Sequence, residues 1–150
     1  MNAKKNKGLI CRLSLCLPLE LEQISTAAIL GRTFCERQTM LKNIPDLART
    51  VELATSEACT NAVKHTNSEG LDAGFSVTYE LFPDRLIIQV EDAGPGFDPE
   101  DVPVPDLKEH QVGGYGLFII KASMDDVSYH RSEKSNFLTM TKYLKPSEEP

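Results

Sequence analysis

Apolar and polar residues change period along the chain, and those changes divide it into elements. Residues 10–17 alternate, which predicts a first strand that Pro18 ends. From 19 to about 41 the apolar positions become Leu21, Ile24, Ala28, Phe34 and Leu41, the spacing of a long amphipathic helix. Asn43 and Pro45 break that pattern. A second helix is predicted over 46–65, with Leu47, Val51, Ala54, Ala58 and Ala62 on its apolar face. Three of these five are alanine, so the helix can sit close to a sheet. Asn67, Ser68 and Gly70 mark a loop. Phe75, Val77, Tyr79 and Leu81 then alternate with polar residues, Pro83 and Asp84 turn the chain, and Leu86, Ile88 and Val90 resume the alternation. This predicts a hairpin.

Between 93 and 114 the chain holds four prolines and four glycines and reads as loop, with at most a helical turn near 99–102. A short helix over 116–124 and strands over 127–131 and 137–144 complete the pattern, and 146–150 is a polar tail. Strands in direct succession imply antiparallel pairs, and all the helices can lie on one face. The fold class expected is α+β, a two-layer α/β sandwich: a mixed, mostly antiparallel sheet covered on one face by helices.

Composition narrows the function classes. A chain of 150 residues, 41% hydrophobic and 25% charged, has the size and balance of one compact domain spanning 1–150, with its core over about 10–145. The net charge of −6 disfavours direct nucleic-acid binding, because a phosphate backbone prefers a basic face. Cys11, Cys16, Cys35 and Cys59 form no C-x-x-C pair and have no histidine at metal-ligand spacing, so four free thiols in a reducing compartment are expected. No apolar run approaches the roughly 20 residues that span a bilayer, and the basic start followed by an alternating stretch is not a signal peptide. The expected location is cytoplasmic, with no membrane partner.

Three constellations carry chemistry. Glu57 and Asn61 stand four apart on the second helix and point the same way, with Lys64 and His65 extending the stripe. Taken alone, the stripe is better explained as a solvated polar face. An acid that orients or deprotonates a nucleophile, beside an amide oxygen that binds Mg²⁺, would use the same spacing. Asp92 follows Leu86, Ile88 and Val90 in parity, which aims its carboxylate at the apolar, helix-covered side. A buried carboxylate needs donors, and the exocyclic amine of adenine is one. Gly94 and Gly96 strip side chains from the backbone just beyond it. An ordinary Asx-capped turn explains those glycines but not the face on which Asp92 lies. Finally, Gly113, Gly114, Tyr115, Gly116 and Leu117 lead into a helix, where backbone N–H groups can hold an anion. The run is neither G-x-G-x-x-G nor a P-loop.

Taken in order, E-x-x-x-N on a helix, D-x-G-x-G after a strand and G-x-G-L opening a helix resemble the N, G1 and G2 boxes of the Bergerat-fold (GHKL) ATPases. The resemblance covers about 51–144, and 10–40 fits the family's leading strand and helix. The stretches 56–62, 94–97 and 116–120 resemble the anti-sigma-factor serine kinases, which carry a histidine-kinase-like ATPase domain. The resemblance implies ATP and Mg²⁺, with Glu57 as general base and Asn61 as the metal ligand. Asp92 would recognise adenine, Gly94 and Gly96 would shape the base pocket, and Gly114 and Gly116 would cradle phosphates. Residues 97–112 would form a lid, and Thr139 or Thr141 on the last strand would support Asp92. The implied reaction moves the γ-phosphoryl group of ATP to a serine or threonine of an anti-anti-sigma antagonist, which competes with a sigma factor for this protein. A homodimer is implied in the same way.

Two other readings stand beside it. A histidine-kinase catalytic domain would follow a helical hairpin bearing a phosphoacceptor histidine, and residues 19–41 contain none. A non-catalytic module that holds ATP or a partner would keep the same boxes without turnover.

Overall fold

The computed structural model describes residues 8–65, 74–96 and 115–145. The lid segment 97–112 and the glycines Gly113 and Gly114 lie outside them. The elements run β1 (Cys11–Pro18), α1 (Leu21–Glu36), α2 (Ile44–His65), β2 (Gly74–Leu81), β3 (Arg85–Asp92), α3 (Gly116–Ser123), β4 (Asp126–Arg131) and β5 (Asn136–Tyr143). All eight fall where the hydrophobic pattern places them.

The helix ends are where pattern and structure differ. The apolar spacing runs on to Leu41, yet α1 stops at Glu36. Arg37 donates its backbone N–H to Thr33, and the Gln38 side-chain amide donates to the Phe34 carbonyl, closing the last turn. Leu41 still reaches the core from the turn beyond, so periodicity alone overshoots the helix. At the start of α2, Asn43 takes a left-handed φ of 53° and its carbonyl receives the Leu47 N–H at 3.2 Å. Pro45 lies inside the first turn of α2, where the missing N–H costs nothing, rather than outside the helix.

Among the described residues the strands form one five-stranded sheet in the order β1-β2-β3-β5-β4. Each of the neighbouring pairs is antiparallel. The two-layer α+β expectation holds, but the described sheet is antiparallel throughout rather than mixed. β4 points the same way as β3, but β5 lies between them, so no two adjacent strands are parallel.

Period-two alternation decides the two faces. Phe75, Val77, Tyr79 and Leu81 of β2, Leu86, Ile88 and Val90 of β3, and Leu138 and Met140 of β5 are buried together. The opposite face carries polar and aromatic cross-strand pairs. Arg12 and Glu80 meet at 2.8 Å, the Gln89 amide donates to Thr139 at 3.1 Å, and His130 stacks on Phe137. The helices supply the other side of the core. Ala54, Ala58 and Ala62 of α2 are all buried, as their small size allows. Where α1, α2 and β2 meet, Gly31 lies directly over the Tyr79 ring, and an added Cβ would come 2.5 Å from its hydroxyl. That hydroxyl donates to the Ala27 carbonyl at 2.9 Å and accepts from the Thr55 hydroxyl at 3.0 Å. Burial pushes the Tyr79 phenol up from its ordinary range. Cys35 and Cys59 lie in the same core, and burial pushes each thiol up to about 12.

Candidate functional site

Two parts of one helix and one strand end set up the site. On α2, Glu57 and Asn61 share a face, and α3 begins directly opposite them. A Cβ added to Gly116 would lie 2.9 Å from Glu57 Oε2, 3.4 Å from Asn61 Oδ1 and 3.7 Å from Asn61 Nδ2. Any side chain at 116 would occupy the space over the acid and the amide. The glycine that opens α3 thus leaves a gap bounded by a carboxylate, an amide and the first turn of a helix, whose backbone N–H groups suit an anion. Tyr115 precedes that turn as its cap, while the Leu117 side chain is buried in the core. Leu117 can therefore serve the site through its backbone only.

Asp92 ends β3 on the helix-covered face, as its parity predicts, and Glu91 lies on the other face. Both readings of the turn after Asp92 hold at once. The Gly94 N–H donates to Asp92 Oδ1 at 2.9 Å, which is an Asx turn, and the carboxylate still faces the helices. Asn61 of α2, Asp92 and Gly96 line one small cavity, floored by Val90 and Leu138 and bounded by Ala58 and Ala62. Tyr129 of β4 closes it. Asn61 thus shares this cavity with the strand-borne carboxylate, while Glu57, one turn away on α2, faces Gly116.

The threonine support expected for Asp92 is not where the last strand puts it. Thr139 pairs with Gln89 and Thr141 with Ile87, both on the face opposite Asp92, and the Thr139 hydroxyl accepts a hydrogen bond from Gln89. The residue paired with Asp92 is Asn136. Its Nδ2 donates to Asp92 Oδ1 at 3.0 Å and to the Gly94 carbonyl at 2.8 Å, and it is 3% exposed. Sequence reasoning missed it because the final strand was started one residue late, at 137. Continuing the alternation of Met140 and Leu138 back by two would have found it. Arg131, also missed, donates to the Pro95 carbonyl at 2.6 Å.

Gly96 adopts φ 74°, and a Cβ there would come 2.8 Å from Asn136 Oδ1, 2.8 Å from the Tyr129 hydroxyl and 2.9 Å from Arg131 Nε. Position 96 needs glycine for both conformation and space. Lys64 is exposed at the end of the α2 stripe, and His130 stacks on the open face of the sheet. Among the described residues, no cluster of three or more His, Cys, Asp or Glu side chains could hold a metal ion. Nor is any helix there long and apolar enough to cross a membrane. Asn61 beside an anion-holding turn still fits Mg²⁺, which takes one or two protein oxygens and completes its shell with water and phosphate.

A helix-covered antiparallel sheet with an acid–amide pair on one helix, a carboxylate and glycine turn at a strand end, and a glycine opening a second helix defines a class of nucleotide-binding ATPase domain. The chain belongs to the histidine kinase-like ATPase domain family, whose model matches residues 17–142. It is 38% identical over 109 residues to the serine-protein kinase RsbW of Halalkalibacterium halodurans, covering 65% of this chain and 64% of that one. It is 37% identical over 103 residues to the serine-protein kinase RsbW of Listeria monocytogenes, covering 63% and 64%. The match thus spans about 64% of the length of these curated relatives. Two solved structures share the fold. The RsbU and RsbW domains of a Mycobacterium tuberculosis protein superpose with a TM-score of 0.65 at 16% identity, over 91% of this chain and 34% of that one. The histidine kinase domain of a blue-light-activated kinase from Erythrobacter litoralis gives 0.52 at 18% identity, over 85% and 61%.

Proposed function

We propose that this chain is an ATP-dependent protein serine/threonine kinase that acts as an anti-sigma factor. Its substrate would be an anti-anti-sigma antagonist that competes with a sigma factor for binding. The observation that carries this is the gap over Gly116, where Glu57 and Asn61 oxygens both come within 3.4 Å of one point beside a helix start. Two further features support it: the likeness to proteins named serine-protein kinase, and the resemblance of 56–62, 94–97 and 116–120 to the anti-sigma-factor kinases.

In this reading the base of ATP sits against Asp92, whose carboxylate accepts from the exocyclic amine. The phosphates lie over the start of α3, where Gly116, Tyr115 and Leu117 offer backbone N–H groups, continued by Gly113 and Gly114. Asn61 holds Mg²⁺, which when bound neutralises charge on the phosphate oxygens. Glu57 orients the acceptor hydroxyl and takes its proton as the oxygen attacks the γ-phosphorus and ADP leaves. Phosphorylation adds about two negative charges to the antagonist and weakens its hold on this protein. Residues 97–112 serve as the lid, residues 10–145 act as one domain, and the protein works in the cytoplasm as a homodimer.

The test is transfer of phosphate from ATP to a candidate antagonist in the presence of Mg²⁺. Glu57→Ala is expected to lower transfer about 10²- to 10⁴-fold, the usual contribution of a general base, while ATP binding persists. Undiminished transfer in that variant rejects the role of Glu57. ATP binding by the unaltered protein with no transfer to any antagonist leaves the non-catalytic module as the function.

A further inference from the structure

The turn that follows Asp92 is held from outside itself at Gly94, Pro95 and Gly96. The Gly94 carbonyl accepts from Asn136, the Pro95 carbonyl accepts from Arg131, and Gly96 is wedged against Asn136, Tyr129 and Arg131. All of these side chains come from the β4–β5 hairpin, the far edge of the sheet. Asn136 also binds Asp92 itself. A bend containing two glycines has little stiffness of its own, and its Asx bond ties only Gly94. We infer that the β4–β5 hairpin clamps the base-binding turn, with Asn136 and Arg131 as positioning residues that set nucleotide affinity by fixing Asp92 and the backbone beyond it.

The inference rests on the ATP-site reading of Asp92 and adds what holds that carboxylate in place. Asn136 gives both of its N–H groups to oxygens of this turn, so Asp92 Oδ1 is occupied from the strand side. An acid in place of the Asn136 amide keeps the shape but removes both donors. The charged and titratable groups around the position are Asp92 on β3 and Tyr129 and Arg131 on β4, with the exposed Glu133 and Lys134 in the hairpin turn. Glu91 and His130 lie on the opposite face of the sheet. Beneath the turn, α2 presents Ala58, Asn61 and Ala62, with Glu57 one turn away beside Gly116, and β2 presents Phe75. Among the described residues, Arg131 is the cation in contact with this turn, and Lys134 is exposed in the hairpin turn beyond it.

The experiment measures the Kd of Mg²⁺-ATP by calorimetry at pH 6 and pH 8 for the unaltered protein, Asn136→Asp, Asn136→Leu, Arg131→Met and, as a remote control, Arg12→Ala. Affinities are read as ratios to the unaltered protein at the same pH, which removes the titration of ATP itself. In Asn136→Asp, two carboxylates about 3 Å apart cannot both ionise without repulsion, so affinity falls about tenfold at pH 8 and recovers most of that loss at pH 6, where one shared proton restores the donor. Asn136→Leu is expected to lose about tenfold or more at both pH values, because the donors are gone. Arg131→Met is expected to lose about threefold, as suits a part-exposed bond. Arg12→Ala stays at a ratio of one. A pH-independent ratio for Asn136→Asp, or unchanged affinity in Arg131→Met, overturns the clamp. If the unaltered protein does not bind ATP at all, it is the ATP-site reading that fails. Melting temperatures of the variants, measured without nucleotide, separate unfolding from misplacement of the turn.

Discussion

Two tyrosine hydroxyls in this molecule press against a glycine, and they do so in opposite surroundings. At the junction of α1, α2 and β2, Gly31 lies over Tyr79, whose hydroxyl is fully buried, donates to the Ala27 carbonyl and accepts from the Thr55 hydroxyl. At the cleft, Gly96 lies against Tyr129, half-buried, in a turn with a left-handed backbone. The first contact is inside a helix, surrounded by packed side chains, and cannot relax without moving the core. The second sits on a turn tied down by side chains of an edge hairpin. Close approach in the core serves stability, while in the proposed reading the same approach at the cleft fixes the position of Asp92. Changes to the two glycines should therefore be felt in different measurements.

The largest effect is expected at Gly31. In Gly31→Val the added carbons would lie within 2.5–2.7 Å of the Tyr79 hydroxyl and ring. Overpacking of this kind costs about 1–3 kcal/mol, only partly offset by the roughly 0.5 kcal/mol or less that valine gains over glycine in a helix. Urea denaturation should show that loss, with little change in ATP affinity for the protein that remains folded. Tyr79→Phe should not rescue it, because two ring carbons stand as close as the hydroxyl does. A stability within about 0.5 kcal/mol of the unaltered protein would mean that α1 shifts freely over the sheet, and the contrast between the regions would fail.

Gly96→Ala comes next and should reverse the pattern. A left-handed alanine costs about 1–2 kcal/mol, and here it also meets three hairpin side chains. The turn is at the surface and can give way, so the melting temperature should move by only a few degrees. ATP affinity should fall about tenfold, since the displaced turn carries Asp92 with it. A large loss of stability with intact affinity would show that the two glycines do the same job.

How far the sequence foretold this contrast depends on the kind of contact. Alternation placed Asp92 on the helix side, and helical spacing put Glu57 and Asn61 on one stripe, because each needs only local geometry. The meeting of Gly116 with that stripe was legible through the family pattern of the boxes, not through spacing. The alternation of Leu138 and Met140 already puts Thr139 and Thr141 on the face away from Asp92, whereas the pairing of Asp92 with Asn136 depends on register between β3 and β5, residues more than 40 apart in the chain. Gly31 carried no signal at all. A glycine in a helical pattern reads as a weak point until the ring above it is known. The end of α1 was blurred because Leu41 reaches the core from outside the helix.

The smallest effect concerns the buried thiols and separates the regions by pH. Burial pushes Cys35 and Cys59 up from 9.0 to about 12, with the Glu36 charge adding to the shift at Cys35. The folded state therefore keeps both protons between about pH 9 and about pH 12, while the unfolded chain releases them. With fewer protons bound in the unfolded state, stability is full below pH 9 and declines as pH rises through that window. Each thiol should cost roughly 1 kcal/mol or less by pH 9.5, on the scale of 1.4 kcal/mol per pH unit. Urea midpoints of the unaltered protein should fall between pH 8 and 9.5, and Cys59→Ala should flatten about half of that slope around its own lower baseline. Under the proposed clamp, ATP affinity is set by the turn after Asp92 rather than by the α1–α2 core, and it should hold steady over the same range. A Kd that rose in step with the loss of stability would show that the core and the cleft open as one unit.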